Sequence, residues 1–266
     1  WETDVRAAAR LAGTFLRIGV LTELQYRVNL LFSLAQSAVA VGTSLAVLAL
    51  VFANTDSLRG WSAGELLVVM GVYVLVGGVI RSVIQPNMQL LMTDVQEGTL
   101  DFVLTKPADG QLLVSVRRVE FWQAVDVVVG GVLIAVAAAR LPGPVSPAAG
   151  LSFAAALLLG LVAIYCCWLV LAMLSFWITF VDPIVELFQG VYSAGRWPVS
   201  VYPGWLRLGL TVLVPLAFAV TVPAAALTGR STGWLLAGSA GFTVLLVALT
   251  RWAWRRALRR YSGASA

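Results

Sequence analysis

Charge is scarce in this chain, and the scarcity narrows its class first. Only 12% of the 266 residues are Asp, Glu, Lys or Arg, while 60% are hydrophobic; soluble domains carry roughly twice that share of charge. With a mean hydropathy of +0.90, the composition is that of an integral membrane protein. Histidine is absent, which removes the commonest general base, metal ligand and proton relay. The two cysteines, Cys166 and Cys167, are adjacent inside an apolar run, so neither a disulfide framework nor a metal site is expected. Lys106 is the single lysine and no G-x-x-x-x-G-K-S/T stretch occurs, so the chain itself cannot cradle nucleotide phosphates. With no histidine and no paired acids on one apolar run, nothing supports an intramembrane enzyme, and no catalytic site is expected. No cleavable signal peptide is recognised. The opening at Trp1, without an initiator methionine, is compatible with a few missing N-terminal residues.

What the chain does have is long apolar runs that are continuous, not alternating, and these indicate helices and not a barrel. The net charge of +5 derives from the C-terminal run Arg251, Arg255, Arg256, Arg259 and Arg260. Basic residues flanking a crossing mark the cytoplasmic side and do not call for nucleic acid. Residues 5–27 read as an amphipathic helix lying in the inner interface. Ala8, Leu11, Phe15 and Ile18 share one face, with Arg6, Arg10 and Arg17 opposite. The first crossing is expected over about Leu30 to Ala53 and the second over about Glu65 to Ile84, where Gly71, Gly77 and Gly78 permit a close helix approach. Arg81, near the inner end of the second, is placed to snorkel to the headgroups. The third runs from the Arg117, Arg118 and Glu120 cluster to about Ala139 and carries Asp126 within it. An acid at that depth is a functional candidate by default; the structural alternative is an ion pair with Arg117 or Arg118.

Between the second and third crossings, residues 85–109 (QPNMQLLMTDVQEGTLDFVLTKPAD) form the one long polar interruption. Apolar residues still recur at helical spacing, at Leu91, Val95, Leu100, Val103 and Leu104. Asp94, Glu97 and Asp101 would share a face of an unbroken helix, but Gly98 more naturally ends one short helix and lets Thr99 start the next, which Pro107 stops. Lys106 suits the negative end of that second helix. A solvated loop and a docking element for a soluble partner are both compatible with this pattern.

The uncharged stretch Leu141 to Val181 is too long for one ordinary crossing and short for two. Two arrangements reach six crossings with both termini inside. In one, crossings four and five share residues 148–194 and residues 196–228 dip in and out from the outside. In the other, residues 184–206 lie at the inner interface and 208–227 form the fifth crossing. Trp234 to Thr250 is the last, with Ala237 and Gly241 as a small-residue pair.

The segment Glu97-Gly98-Thr99-Leu100-Asp101 followed by Leu104-Thr105-Lys106-Pro107 resembles the signature linking the second and third crossings in bacterial type-two ABC transporter permeases. The segment from Gly195-Arg196-Trp197-Pro198 to Tyr202-Pro203-Gly204-Trp205-Leu206 is similar to the motif that follows the fifth crossing in the same families. The resemblance covers essentially the whole chain. It implies a single all-α transmembrane permease domain over residues 1–266, with six crossings, a cytoplasmic coupling segment at 85–109 and an outer re-entrant hairpin at about 196–228. Asp182-Pro183 and Glu186 depart from the family pattern, because they would lie early or midway in a crossing.

The resemblance further implies an exporter subunit of the bacterial cytoplasmic membrane. It would dock through Asp94, Glu97, Gly98, Leu100, Asp101, Leu104, Lys106 and Pro107 onto two copies of a separate ATPase, which binds the ATP and magnesium. A second permease, identical or merely similar, would complete the complex among membrane lipids. An amphipathic, lipid-like or drug-like cargo suits the aromatic residues. The alternative from a different class is a proton-coupled secondary transporter using Asp126, although such carriers show internal repeats that are not detected here.

Overall fold

The computed structural model describes residues 27–107, 109–141, 143–177, 182–230 and 233–259. The interfacial helix expected over 5–27 therefore lies outside the described residues, save Arg27 itself. Among the described residues there is no β-strand, only an isolated bridge between Leu58 and Trp61.

The first helix, α1 (Arg27–Phe52), has no charge after its first residue. Two of its polar side chains fold back on their own backbone: the Thr43 and Ser44 hydroxyls each donate to the carbonyl four residues earlier at 2.8 Å. The chain then reverses through Arg59 and Gly60, both at positive φ (52° and 83°). That is the geometry of a tight two-residue turn, closed by reciprocal backbone bonds between Leu58 and Trp61 at 2.9 and 3.0 Å. Ser62 and Glu65 form a capping box that starts the next helix.

That helix, α2 (Ala63–Glu97), is 35 residues long. At about 52 Å it exceeds a hydrocarbon core of about 30 Å, so it projects well past one side. It stays continuous because a π turn at Ile80–Ile84 accommodates Pro86. Pro86 has no N–H for the Ser82 carbonyl four residues earlier, and the Glu120 amide fills that vacancy at 2.8 Å. A local helix defect thus becomes an attachment point.

Two short helices follow, α3 (Asp101–Leu104) and α4 (Gly110–Ser115), and then α5 (Phe121–Ala139), whose first turn is 3-10. Among the described helices the α2–α5 pair packs most extensively, and glycine lets it approach closely. A Cβ on Gly130 would lie 2.4 Å from the Leu75 nitrogen, and one on Gly78 would lie 2.6 Å from the Val127 nitrogen. Gly71 meets Ile134 in the same way, whereas Gly77 faces Arg81 and Tyr192.

The fourth crossing, α6 (Pro147–Phe176), is 30 residues long and begins with Ser146 capping the Ala149 amide at 3.1 Å. It supplies Trp168 and Leu169 to a core shared with Val72, Val76, Leu91 and Met92 of α2. α7 (Asp182–Ser193) is shorter and amphipathic, burying Val185, Phe188 and Tyr192. It climbs α2 in the opposite direction. Gln189 donates to Gln85 at 3.3 Å, the Tyr192 hydroxyl donates to the Tyr73 carbonyl at 2.7 Å, and Trp61 Nε1 donates to the Ser200 hydroxyl at 3.1 Å.

Next come α8 (Gly204–Val212) and α9 (Ala217–Leu227), bent by 81° at a break containing Pro215. The last helix is α10 (Gly233–Leu258), packed along α6, where Thr243 donates to the Leu159 carbonyl at 3.3 Å. Its Ala237 and Gly241 pair stays exposed. The small residue that admits a neighbour is instead Gly160, against Phe218 and Ala219 of α9. Five described helices are long and apolar enough to cross a membrane, six if the bent pair counts as one.

Candidate functional site

The polar interruption folds as a stapled unit on the projecting end of α2. Gly98, at φ 71°, ends that helix in the left-handed conformation that glycine tolerates best, and the Thr99 amide closes onto the Asp94 carbonyl at 2.9 Å. Thr99 does not start the next helix; its hydroxyl bonds back to Asp94 and α3 begins at Asp101.

Asn87 ties this unit to the third crossing. It is fully buried and makes four hydrogen bonds. Its amide nitrogen donates to the carbonyls of Val83 and Arg118 at 2.7 and 2.6 Å, and its oxygen accepts from the amides of Arg117 and Arg118 at 2.7 and 2.8 Å. Arg117 then reaches Asp94 at 2.6 Å, and Arg118 pairs with Glu120 at 3.4 Å.

The far side of the unit is held by α4. Asp109 caps it, accepting from the Gln111 and Leu112 amides at 3.0 and 3.2 Å, and pairs with Arg251 of α10. The hydrogen bond from Arg251 holds the Asp109 carboxyl below its usual range, although partial burial pulls the other way. Arg251 also donates to Gln111 at 3.0 Å. The Ser115 hydroxyl meets the Tyr165 hydroxyl of α6 at 2.7 Å. The interruption is thereby fastened to α2, α5, α6 and α10 together.

A family model described as ABC-2 family transporter protein matches residues 38–265. This chain belongs to the ABC-2 transporter family. It is an ABC-2 type permease, a multi-pass membrane protein, and the family implies association with an ABC ATPase. No curated protein and no solved structure matches it.

In this permease the residues singled out from the sequence divide into two sets. Asp94 is half-buried in its pair with Arg117, and Leu100 is fully buried in the core. Glu97, Lys106 and Pro107 are exposed, whereas Gly98, Asp101 and Leu104 are half-buried, with Leu104 lying over Gly110. The side chain missed by the sequence reading is Phe102, 74% exposed on α3. The signal for it existed: at helical spacing Leu100 and Val103 share a face, and Phe102 falls outside it.

Asp126 is also placed differently from expectation. Its partner is Arg81 of α2, not Arg117 or Arg118, so Arg81 is held by a carboxylate and not left to snorkel. The close approach at Gly78 brings the two together, since Asp126 and Val127 lie directly against that glycine.

Proposed function

We propose that this chain is the permease half of an ATP-driven exporter in a bacterial cytoplasmic membrane, with both termini cytoplasmic. Its α2–α3–α4 unit docks on the ATPase, two copies serving a pair of identical or similar permeases, and the cargo is amphipathic, lipid-like or drug-like. The observation that carries the reading is Phe102. An aromatic ring standing 74% exposed, next to the exposed or half-exposed acids Glu97 and Asp101, is an anchor without a groove on a unit fastened to four helices. An apolar anchor rimmed by charge suits a partner's pocket.

In the same reading, residues 196–228 form a re-entrant hairpin on the outer side. Both of its ends meet Trp61: Ser200 by a hydrogen bond, and Arg230 by stacking 4.7 Å from the indole centre and bonding Gly60 and Glu65. Its tip reaches Cys167, whose thiol lies 3.6 Å from the Leu213 carbonyl, while Val222 and Ala226 pack by Ala156. Eleven residues of helix separate those levels, a dip of about 16 Å. The proton-coupled alternative gains nothing from the geometry, because the Asp126 carboxylate is already engaged by Arg81.

Co-expression with a partner ABC ATPase tests the docking surface. Phe102→Asp should abolish co-purification and cargo-stimulated ATP hydrolysis while the permease alone stays monodisperse, since the ring contributes little to the core. A variant that still binds and couples like wild type would refute the docking role. Arginine at Leu100 is the wrong probe, because burying it would disrupt the fold itself.

A further inference from the structure

A cavity of about 440 Å³ lies between α1, α2, α5 and α7, within the range of small-molecule sites. Two guanidinium groups and one carboxylate line it: Arg81 with Asp126, and Arg196. Arg196 stacks 5.9 Å from the centre of the Tyr73 ring and, among the described residues, faces no carboxylate. The cavity therefore carries one positive charge in excess. The Arg81 guanidinium lies against Gly77, where an added Cβ would meet it at 3.2 Å, about one turn of α2 from Tyr73.

The α1 wall adds a second observation. Ser33, Gln36, Ser37 and Ser44 line the cavity from a crossing that otherwise offers apolar side chains. Ser44 satisfies its hydroxyl on its own helix, but Ser37, only 6% exposed, has no hydrogen-bond partner among the described residues. A buried hydroxyl without a partner is costly, and on a lipid-embedded helix it is worth retaining for something it bonds in use. Phe188 and Trp122 supply apolar surface alongside.

We propose that this cavity binds the anionic head group of an amphiphile, a phosphate or carboxylate on an apolar chain. Arg196 supplies the charge that holds the head group, Ser37 donates to it, and Arg81 is kept in place by Asp126. This names a cargo chemistry for the exporter reading and rests on it only for the word cargo, because the site itself needs no ATPase. The occupant has two sources: an exported amphiphile or a resident acidic membrane lipid.

The test titrates the full chain, alone in neutral maltoside micelles, with dodecyl phosphate, and uses dodecyl trimethylammonium as the cationic control. Saturable binding of the phosphate is expected, weakened roughly tenfold by Arg196→Gln and a few-fold by Ser37→Ala, and largely kept by Arg196→Lys. Arg196 is exposed and without a carboxylate partner, so its variants should fold, which size-exclusion profiles check. Equal affinity for the cation, or undiminished phosphate binding in Arg196→Gln, would overturn the proposal.

The permease–ATPase complex then separates the sources. Stimulation of ATP hydrolysis by dodecyl phosphate, lost in Arg196→Gln, identifies cargo. Competition by phosphatidylglycerol without stimulation identifies a resident lipid. Because binding is read without the ATPase, a failure of the Phe102 docking reading would leave it unchanged, and a failure of binding would leave docking unchanged.

Discussion

At the scale of single residues, Asn87 has the most concentrated role. Asparagine in a helix interior has middling propensity and competes for backbone groups, yet here both ends of its amide are used within a fully buried site. Its oxygen satisfies two consecutive amides of the 116–120 loop, which have no place in a helix ladder. Asn87→Leu keeps the volume but leaves the part-buried Arg117 and Arg118 amides without this acceptor. At roughly 1–3 kcal/mol for each orphaned group, this variant should lose about 2–4 kcal/mol of stability. Thermal unfolding in detergent reads the loss, and a melting temperature equal to wild type would show that the loop is held by other contacts. Phe102 is the opposite case, a large apolar side chain whose removal the isolated chain should hardly register.

At the scale of elements, the α2–α5 pair decides where Asp126 lies and what it meets. Its approach is set by atoms that are absent. Gly130 and Gly131 are neighbours on the same helix, yet a Cβ at the first would lie 2.4 Å from the Leu75 nitrogen and one at the second would meet nothing within 4 Å. Gly130→Ala should therefore force the helices apart and destabilise the permease by about 1–3 kcal/mol. Gly131→Ala should be neutral or slightly stabilising, since alanine is the better helix former. Melting curves of the two variants in one detergent make the comparison, and equal effects would show that helix propensity, not close packing, governs this pair.

The whole molecule is arranged around the projecting helix α2, with α7 running back along it and the bent pair α8–α9 tucked between α6 and the 53–62 turn. Gly204, at the start of α8, is exposed and a Cβ there meets nothing within 4 Å, so Gly204→Cys is a mild reporter. In a background with Cys166 and Cys167 replaced by alanine, a membrane-impermeant thiol reagent should label it on intact cells. Labelling only after the cells are opened would place this end of the bent pair inside and rule out the outer hairpin.

Composition and apolar run length determined the class of this protein, because lipid admits so few backbone arrangements that about 20 uncharged residues nearly specify a crossing. The limits of α1, the starts of α2 and α10, the break at Gly98 and the break around Pro215 were legible for the same local reasons: charge, glycine and proline act within a turn of where they stand. The run from Leu141 to Val181 was not, since hydropathy could not say that α6 takes 30 residues and is followed by a separate, 12-residue amphipathic α7. Nor could spacing choose Arg81 over Arg117 for Asp126. Those outcomes depend on which helix lies alongside, and only the glycine-mediated approach of α5 to α2 and the return of the 116–120 loop onto Asn87 decided them.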